Sequence, residues 1–336
     1  MSDDLRAILL DQVEKLLSDA AGPDLLRANE RGEWPAALWE EAEALGLPLA
    51  LVPEAMGGAG LGWGDAAALW QLLGRHASPL PLGEGMIAAA LLAAAGVAPR
   101  AGYLGLAVDT APVVWGRRAA ALVQVMGETV ALQPGPATHQ GRAGFAREPA
   151  DAAAPGVPVA EGRLPPAYGP EAGMLAGALL NAARIAGALE TVLAMTVDYA
   201  NTRKQFGRPI GGFQAVQQLL ARCAGEVAVA GVAAGQAGRA ADRHGLAGAT
   251  FEIASAKVVC GEAAHAGAEI VHQVHAAIGF TDDHALHLFT RRLWEWRDGF
   301  GAERVWARRI GEAALARGGA ALWPDLTTRD HGEGEQ

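Results

Sequence analysis

The chain is poor in cysteine: it has two in 336 residues, Cys223 and Cys260, far apart and without CxxC spacing. That excludes a disulfide framework. Each lies inside a helical apolar pattern, so both read as small core residues of a cytoplasmic protein. Aromatic residues make up only 6% of the chain, so the core must be mostly aliphatic. Charged residues are 19%, no block of Lys and Arg stands out, and the formal net charge is −10. This argues against a nucleic-acid partner, whose affinity rests on cations that displace phosphate counterions. It leaves room for a local basic pocket facing one phosphate-rich ligand. No apolar run is both long enough and free enough of charge to span a bilayer; residues 86–97 are very apolar but read as a buried core helix. The first twenty residues carry Leu5, Ile8, Leu9, Val13, Leu16 and Leu17 on one face behind a Ser2-Asp3-Asp4 cap, which is neither a signal peptide nor a membrane span.

The chain is 51% apolar and dominated by Ala and Leu. That composition, at this length, points to long packed helices in two or three domains. Residues 1–100 read as an amino-terminal helical domain. After the first helix, Pro35 sits at a favourable first-turn position before Leu38, Trp39, Ala42 and Leu45, and Gly46 suits a left-handed stop. The loop Pro53-Glu54-Ala55-Met56-Gly57-Gly58-Ala59-Gly60 lacks the glycine order of a phosphate cradle. Asp65 is expected to cap a helix through Leu73, and another helix covers residues 83–95.

Residues 101–168 change period. Short Val/Leu/Ala runs at 104–108, 112–115, 120–125 and 129–132, punctuated by Gly116 and Gly127, are strand signals, with weaker ones at 144–148 and 156–162. They form a small β domain. Residues 169–318 read as a carboxy-terminal four-helix bundle. A helix opens at Pro170-Glu171 and runs about 45 Å if it keeps 1.5 Å per residue over roughly 30 residues. A second helix runs from Phe213 to about His244, a third from about 249 to Ile278, stopped by Gly279, and a fourth from about Asp283 to Ala316 with a break at Gly299 or Gly301. A tail, 319–336, is expected to fray after Trp323.

The informative stretch is residues 199–221, YANTRKQFGRPIGGFQAVQQLLA. An apolar helix ends in a turn that presents cations, an amide and an aromatic ring together. A guanidinium pairs with phosphate in a fork and a ring packs on a flat base, so such a turn suits an anionic planar ligand. By spacing alone it is equally a helical hairpin with solvated cations. The Glu262/His265 and Glu269/His272 pairs resemble half of a di-iron motif, but both sit on one helix and no carboxylates converge from the preceding one, so no metal is expected.

The run RKQFGRPIGGFQAVQ resembles the R-x-QFG-x-PI-x-x-FQ segment of the acyl-CoA dehydrogenase family, and HQVHAAIGFTDDHALHLFTRR is similar to its second cofactor segment. The amino-terminal LWEEAEALGLPLALVPEAMGGAGLG and GRHASPLPL fall in the family's order. The resemblance implies the family's mainly α fold: an amino-terminal helical domain, a reduced central β domain and a four-helix bundle. It also implies a flavin adenine dinucleotide (FAD) at a subunit interface and an acyl-CoA substrate. Carried over residue by residue, Arg203, Gln205, Phe206 and Phe213 would reach a neighbour's cofactor, with Gln273, Ala277 and Gly279 from the second segment. The assembly would be a homo-oligomer, or a heteromer with a second acyl-CoA dehydrogenase chain.

Three departures stand out. Ala276-Ala277 occupy the place of a Gly-Gly pair, and added methyls obstruct close backbone approach. The β region lacks a TEP-x-x-GSD-like stretch, for which Thr110 in GLAVDTAPVVWG is a poor substitute. The carboxylate base of a Tyr-Glu-Gly-like turn is replaced by Asp298 in Trp296-Arg297-Asp298-Gly299, and the family's other base position, around Gly177-Ala178, has no Glu. Three readings follow: an active FAD-dependent acyl-CoA dehydrogenase with Asp298 or an unrecognised carboxylate as base, a weak or inactive subunit that serves a competent partner, and a helical scaffold that has lost the flavin.

Overall fold

The structure is a computed structural model that describes residues 3–136, 141, 144–153 and 156–329. Five helices come first: α1 (Asp3–Ala20), α2 (Pro23–Glu30), α3 (Ala36–Ala44), α4 (Trp63–Arg75) and α5 (Leu82–Ala94). Sequence reading missed α2, which Pro23 starts at its first position. Gly46 takes the expected left-handed conformation, φ +70°. The expected cap of α4 is corrected: the helix begins at Trp63, and Asp65 lies within its first turn. A residue from the far end of the chain caps it instead. The Trp63 and Gly64 N–H groups donate to the Asp242 carboxylate at 2.5 and 3.0 Å, placing a negative charge at the positive helix end.

Strands β1 (Leu104–Val108), β3 (Ala121–Met126), β4 (Thr129–Pro134) and β6 (Ala160–Arg163) form a sheet in the order β1-β3-β4-β6. The β1 and β3 strands pair in parallel and the others antiparallel. The β1 strand is buried along its whole length, which explains its uniformly apolar sequence. A second ribbon joins β2 (Val113–Val114) to β5 (Ala150–Asp151). The strand expected over 144–148 is a turn in the described residues, and the last strand starts later than expected, at Ala160.

The bundle is built on α6 (Ala172–Thr202), α7 (Gln214–Gly248) and α8 (Thr250–His275), with α9 (Leu286–Asp298) and α10 (Glu303–Arg317) in place of one broken fourth helix. The α6 helix is long and apolar enough to cross a membrane by composition, contrary to the sequence reading, but 94% of its most apolar window is buried inside the protein. Its apolarity therefore serves packing. The α4 and α6 helices touch backbone to backbone: a Cβ on Gly74 would lie 2.0 Å from the Arg184 carbonyl, and one on Gly187 1.8 Å from the Gln71 carbonyl. The α7 helix breaks at Gly245 (φ +70°, ψ 171°), close to the expected end. The tail orders further than expected, as α11 (Gly319–Thr328), with Arg329 paired to Glu252 at 2.5 Å.

Buried charge ties the layers together. Arg184 on α6 donates twice, at 2.6 Å each, to Glu84 on α5. Arg292 on α9, fully buried, bonds Glu148 of the β region at 3.1 Å and Glu30 of α2 at 3.4 Å. Lys257 on α8, also fully buried, donates to the carbonyls of Trp296 and Arg297 at 2.9 and 2.6 Å, satisfying orphan acceptors where α9 ends.

Candidate functional site

The α6 helix runs straight into the sequence's most informative stretch. Strands β7 (Lys204–Gln205) and β8 (Arg208–Pro209) pair as a two-residue hairpin, Gln205 opposite Arg208. Its turn is Phe206-Gly207, with φ +50° and +80°, the turn geometry that usually demands Asn or Gly at its first position. A phenylalanine there is strained, at a cost of order 1–3 kcal/mol, and it is 91% exposed. Arg203, Gln205 and Arg208 are exposed around it. Phe213 is half-buried beneath, under the Arg208 guanidinium at 4.2 Å and edge-on to Phe206 at 6.1 Å. The hairpin thus presents a guanidinium, an amide and a bare ring on a rigid base.

The second segment packs against that base. Tyr199 stacks on His275 at 4.4 Å, and Ala200, Ile210 and Val274 form a small core between them. Gln273 is exposed on the last turn of α8 and lines an open hollow of about 580 Å3 with His265, Glu269, Ala276, Phe280 and Trp294. Sequence reading extended α8 to Ile278; it ends at His275, because Ala276 turns to φ +54°, ψ −141°. That conformation is nearly reserved for glycine. Gly279 is a correction of a different kind: it is buried for space, not for a left-handed turn. A Cβ there would meet His275, His272 and Leu286 at 3.0–3.1 Å. Ala277 is exposed.

A second cavity, about 410 Å3, lies where the β region meets the bundle. Glu84, Glu148, Glu295 and Asn181 line it with Trp296 and Phe300. Burial pushes the Glu148 carboxyl above its usual range, although Arg292 draws it back. Ala146 N–H donates to Glu295 at 3.4 Å. Asn181 donates through Nδ2 to the carbonyls of Trp296 and Gly299 at 3.0 and 3.3 Å, which leaves its Oδ1 without a partner among the described residues. An unmet buried acceptor costs about 1–3 kcal/mol.

Asp298 does not line this cavity. It is exposed at the end of α9, and Gly299, Phe300 and Gly301 form the wall in its stead. Arg297 turns away to Glu303, at 3.0 and 3.2 Å. The other base position is closed as well. A Cβ on Gly177 would lie 2.3 Å from the Phe300 ring. Thr110 is exposed in the β1–β2 turn, whose next two residues, Ala111 and Pro112, reach the cavity. The carboxylates that do face it, Glu84, Glu148 and Glu295, escaped sequence reading because they come from three separate parts of the chain.

An amino-terminal helical layer, a small sheet and a long helical bundle, with a cavity at the seam of sheet and bundle, define the acyl-CoA dehydrogenase type of architecture. The family models for the acyl-CoA dehydrogenase N-terminal and C-terminal domains match residues 3–109 and 171–315. The chain is 32% identical to the acyl-CoA dehydrogenase IpdE2 of Mycobacterium tuberculosis, over 85% of this chain and 90% of that one. It is 30% identical to the IpdE2 of Mycolicibacterium smegmatis, over 91% and 97%. Among solved structures, the Tcur3481-Tcur3483 steroid ACAD superposes with a TM-score of 0.82 at 26% identity, covering 94% of this chain and 99% of that one. A chain of the ChsE4-ChsE5 complex from Mycobacterium tuberculosis gives 0.81 over 94% and 98%, where 24% identity speaks for the fold alone. The chain belongs to the acyl-CoA dehydrogenase family.

Proposed function

We propose that this chain takes part in the FAD-dependent α,β-dehydrogenation of an acyl-CoA thioester, as a subunit whose 203–213 hairpin completes the flavin site of an adjacent chain. One observation carries this: a strained, almost wholly exposed Phe206 at the tip of a hairpin flanked by Arg203 and Gln205. A protein does not hold a large ring out in water in an unfavourable backbone conformation for its own stability. Arg203 would fork onto the pyrophosphate, Gln205 would hydrogen-bond it, and Phe206 would pack on the adenine. Gln273 and Ala277, held beside the hairpin by the Tyr199–His275 stack, would close the same surface, with Gly279 packed beneath them. A bound flavin supplies the acceptor for the hydride that leaves the β-carbon while a carboxylate takes the α-proton.

Two readings of this chain's own cavity remain, and its chemistry favours one. A flavin ring edge presents carbonyl oxygens and ring nitrogens that need donors, whereas the described lining holds three carboxylates and the Asn181 amide and no Lys, Arg, His, Ser or Thr. Asp298 points out of it, Phe300 blocks Gly177, and Ala276 is strained where the family's glycine belongs. These features support a catalytically weak subunit paired with a competent second chain, over an independent enzyme that uses Asp298. Related assemblies include the two-chain ChsE4-ChsE5 complex.

Flavin absorbance of the protein purified alone, and after co-expression with a second acyl-CoA dehydrogenase chain, tests this. Colour is expected only in the complex. Arg203→Ala should cut flavin retention there about tenfold or more, the worth of a charge-assisted bond, and Asp298→Asn should leave substrate bleaching intact. Yellow protein from this chain alone, whose bleaching Asp298→Asn abolishes, would establish the independent enzyme instead.

A further inference from the structure

The tail helix covers a groove that it does not fill. The match to the family's C-terminal domain ends at residue 315, and α11 folds back beyond it beside α8 and α10. Gly318, at φ +86° and ψ 153°, makes the reversal. No residue of α11 is buried. Leu322 and Leu326, one turn apart, line the groove and yet stay exposed. The other walls are Phe251 and Ala254 of α8 and Ile310 and Ala314 of α10. The two alanines offer only methyl groups to the space beneath the leucines, which leaves about 260 Å3 between the three helices. The groove shares no lining residue with the seam cavity or the hairpin.

Charge around this groove is one-sided. Arg309, Arg317 and Arg329 line it, and Asp325 is the one acid among the described lining residues. Glu171 and Glu252, which pair with Arg309 and Arg329, lie outside the lining. The Arg329 guanidinium packs over the Phe251 ring at 4.3 Å, so a cation sits at the edge of the apolar wall. Arg317, the most exposed of the three, is bound to Asp325 across the α10–α11 junction, at 2.7 Å for one of its two contacts. A ligand that fits therefore has an apolar body and a negative head, since an ammonium head would meet three guanidinium groups. We propose that the groove binds a small amphipathic carboxylate, with its hydrocarbon part against Phe251, Ile310 and Leu322 and its carboxylate on Arg317. Asp325 is the group that the ligand displaces. An eight-carbon chain suits about 260 Å3 of space.

Calorimetric titration of the full-length chain with octanoate, octanol and octylamine, each below its aggregation limit, tests this on one chain length. Octanoate should bind about tenfold tighter than octanol, the worth of one charge-assisted hydrogen bond, and octylamine should bind most weakly. Arg317→Met, at an exposed side chain, should erase the preference for octanoate over octanol. Asp325→Asn frees Arg317 and should tighten octanoate several-fold. Ala313→Trp, at an exposed position of the wall, should abolish binding of all three probes. Equal binding of acid and alcohol, tighter binding of the amine, or no binding at all overturns the proposal. So does a dimer of the chain, seen in analytical ultracentrifugation, that Ala313→Trp dissociates, because a second copy would then occupy the groove.

Discussion

At the scale of single residues, the family pattern leaves its mark as strain. Ala276 sits at φ +54°, ψ −141° because α8 must stop and reverse there, and a methyl group crowds that conformation. Ala276→Gly should raise stability by about 1 kcal/mol, the strain relieved less the extra freedom glycine gains when unfolded. In thermal unfolding this should appear as an increase of about 2 °C; a lower midpoint would show that the backbone there is relaxed. This position was half legible in the sequence. The missing Gly-Gly pair was plain in Ala276-Ala277, but periodicity carried the helix on to Ile278, because alanine is the best helix former and nothing local announces the turn. Asp298 shows the opposite limit. Its place before Gly299 made it a natural base, yet which way a side chain points at a helix end depends on what packs around it. Here Phe300 takes the inward position.

Among the elements, the junction between α8 and α9 is sensitive to mild acid. His272, His275 and His284 all have their pKa lowered, chiefly by burial and then by one another or by His287. The His284 ring has a further reason to stay neutral. His284 Nδ1 accepts the Leu286 N–H at 3.1 Å at the start of α9, and His275 stacks on Tyr199 within 4.7 Å of His284. The nearby acid, Asp282, lies 3.8 Å from His287 and is exposed. Since the folded pKa values lie below 6.5, the unfolded chain binds more protons once the pH falls past that value. The stability these rings contribute is full above about pH 6.5 and is lost as the pH drops toward their folded values. Hydrogen-exchange protection at residues 276–286, taken relative to the intrinsic rate at each pH, should therefore fall between pH 7 and 5.5 ahead of the α6 core. His284→Asn keeps a cap acceptor without a titrating ring and should flatten that dependence. Protection that stays constant across the range would refute the assignment. The pairs His272/His275 and His284/His287, three apart, read from the sequence as surface or interface groups, yet His272, His275 and His287 are buried. Their meeting with Tyr199 needed the fold.

For the whole molecule, cohesion depends on a few charges that no local pattern reveals. The Glu84–Arg184 pair joins the amino-terminal helices to the bundle axis with both partners 6% exposed. Removing one partner of such a pair strands the other, at about 3–5 kcal/mol, whereas removing both at similar volume is far milder. Glu84→Leu should lower the denaturation midpoint by that order, and Arg184→Met added to it should recover most of the loss. Additive losses in the double variant would mean that the two residues act independently. The Asp242 cap on α4 works the same way, since a residue of the seventh helix completes the fourth.

Composition and periodicity determined the helical architecture, the place of the small sheet and the long bundle. Each of these follows from apolar spacing, turn residues and propensity along the chain itself. The RKQFG motif determined the family, because a hairpin that must present a cation, an amide and a ring keeps those residues adjacent in sequence. Only the tertiary structure decided what faces the cavity. Glu84, Asn181 and Glu295 stand about a hundred residues apart. Whether these residues line one cavity, and whether Asp298 stays outside it, is settled by packing among α5, α6, α9 and the sheet rather than by any neighbour in the chain.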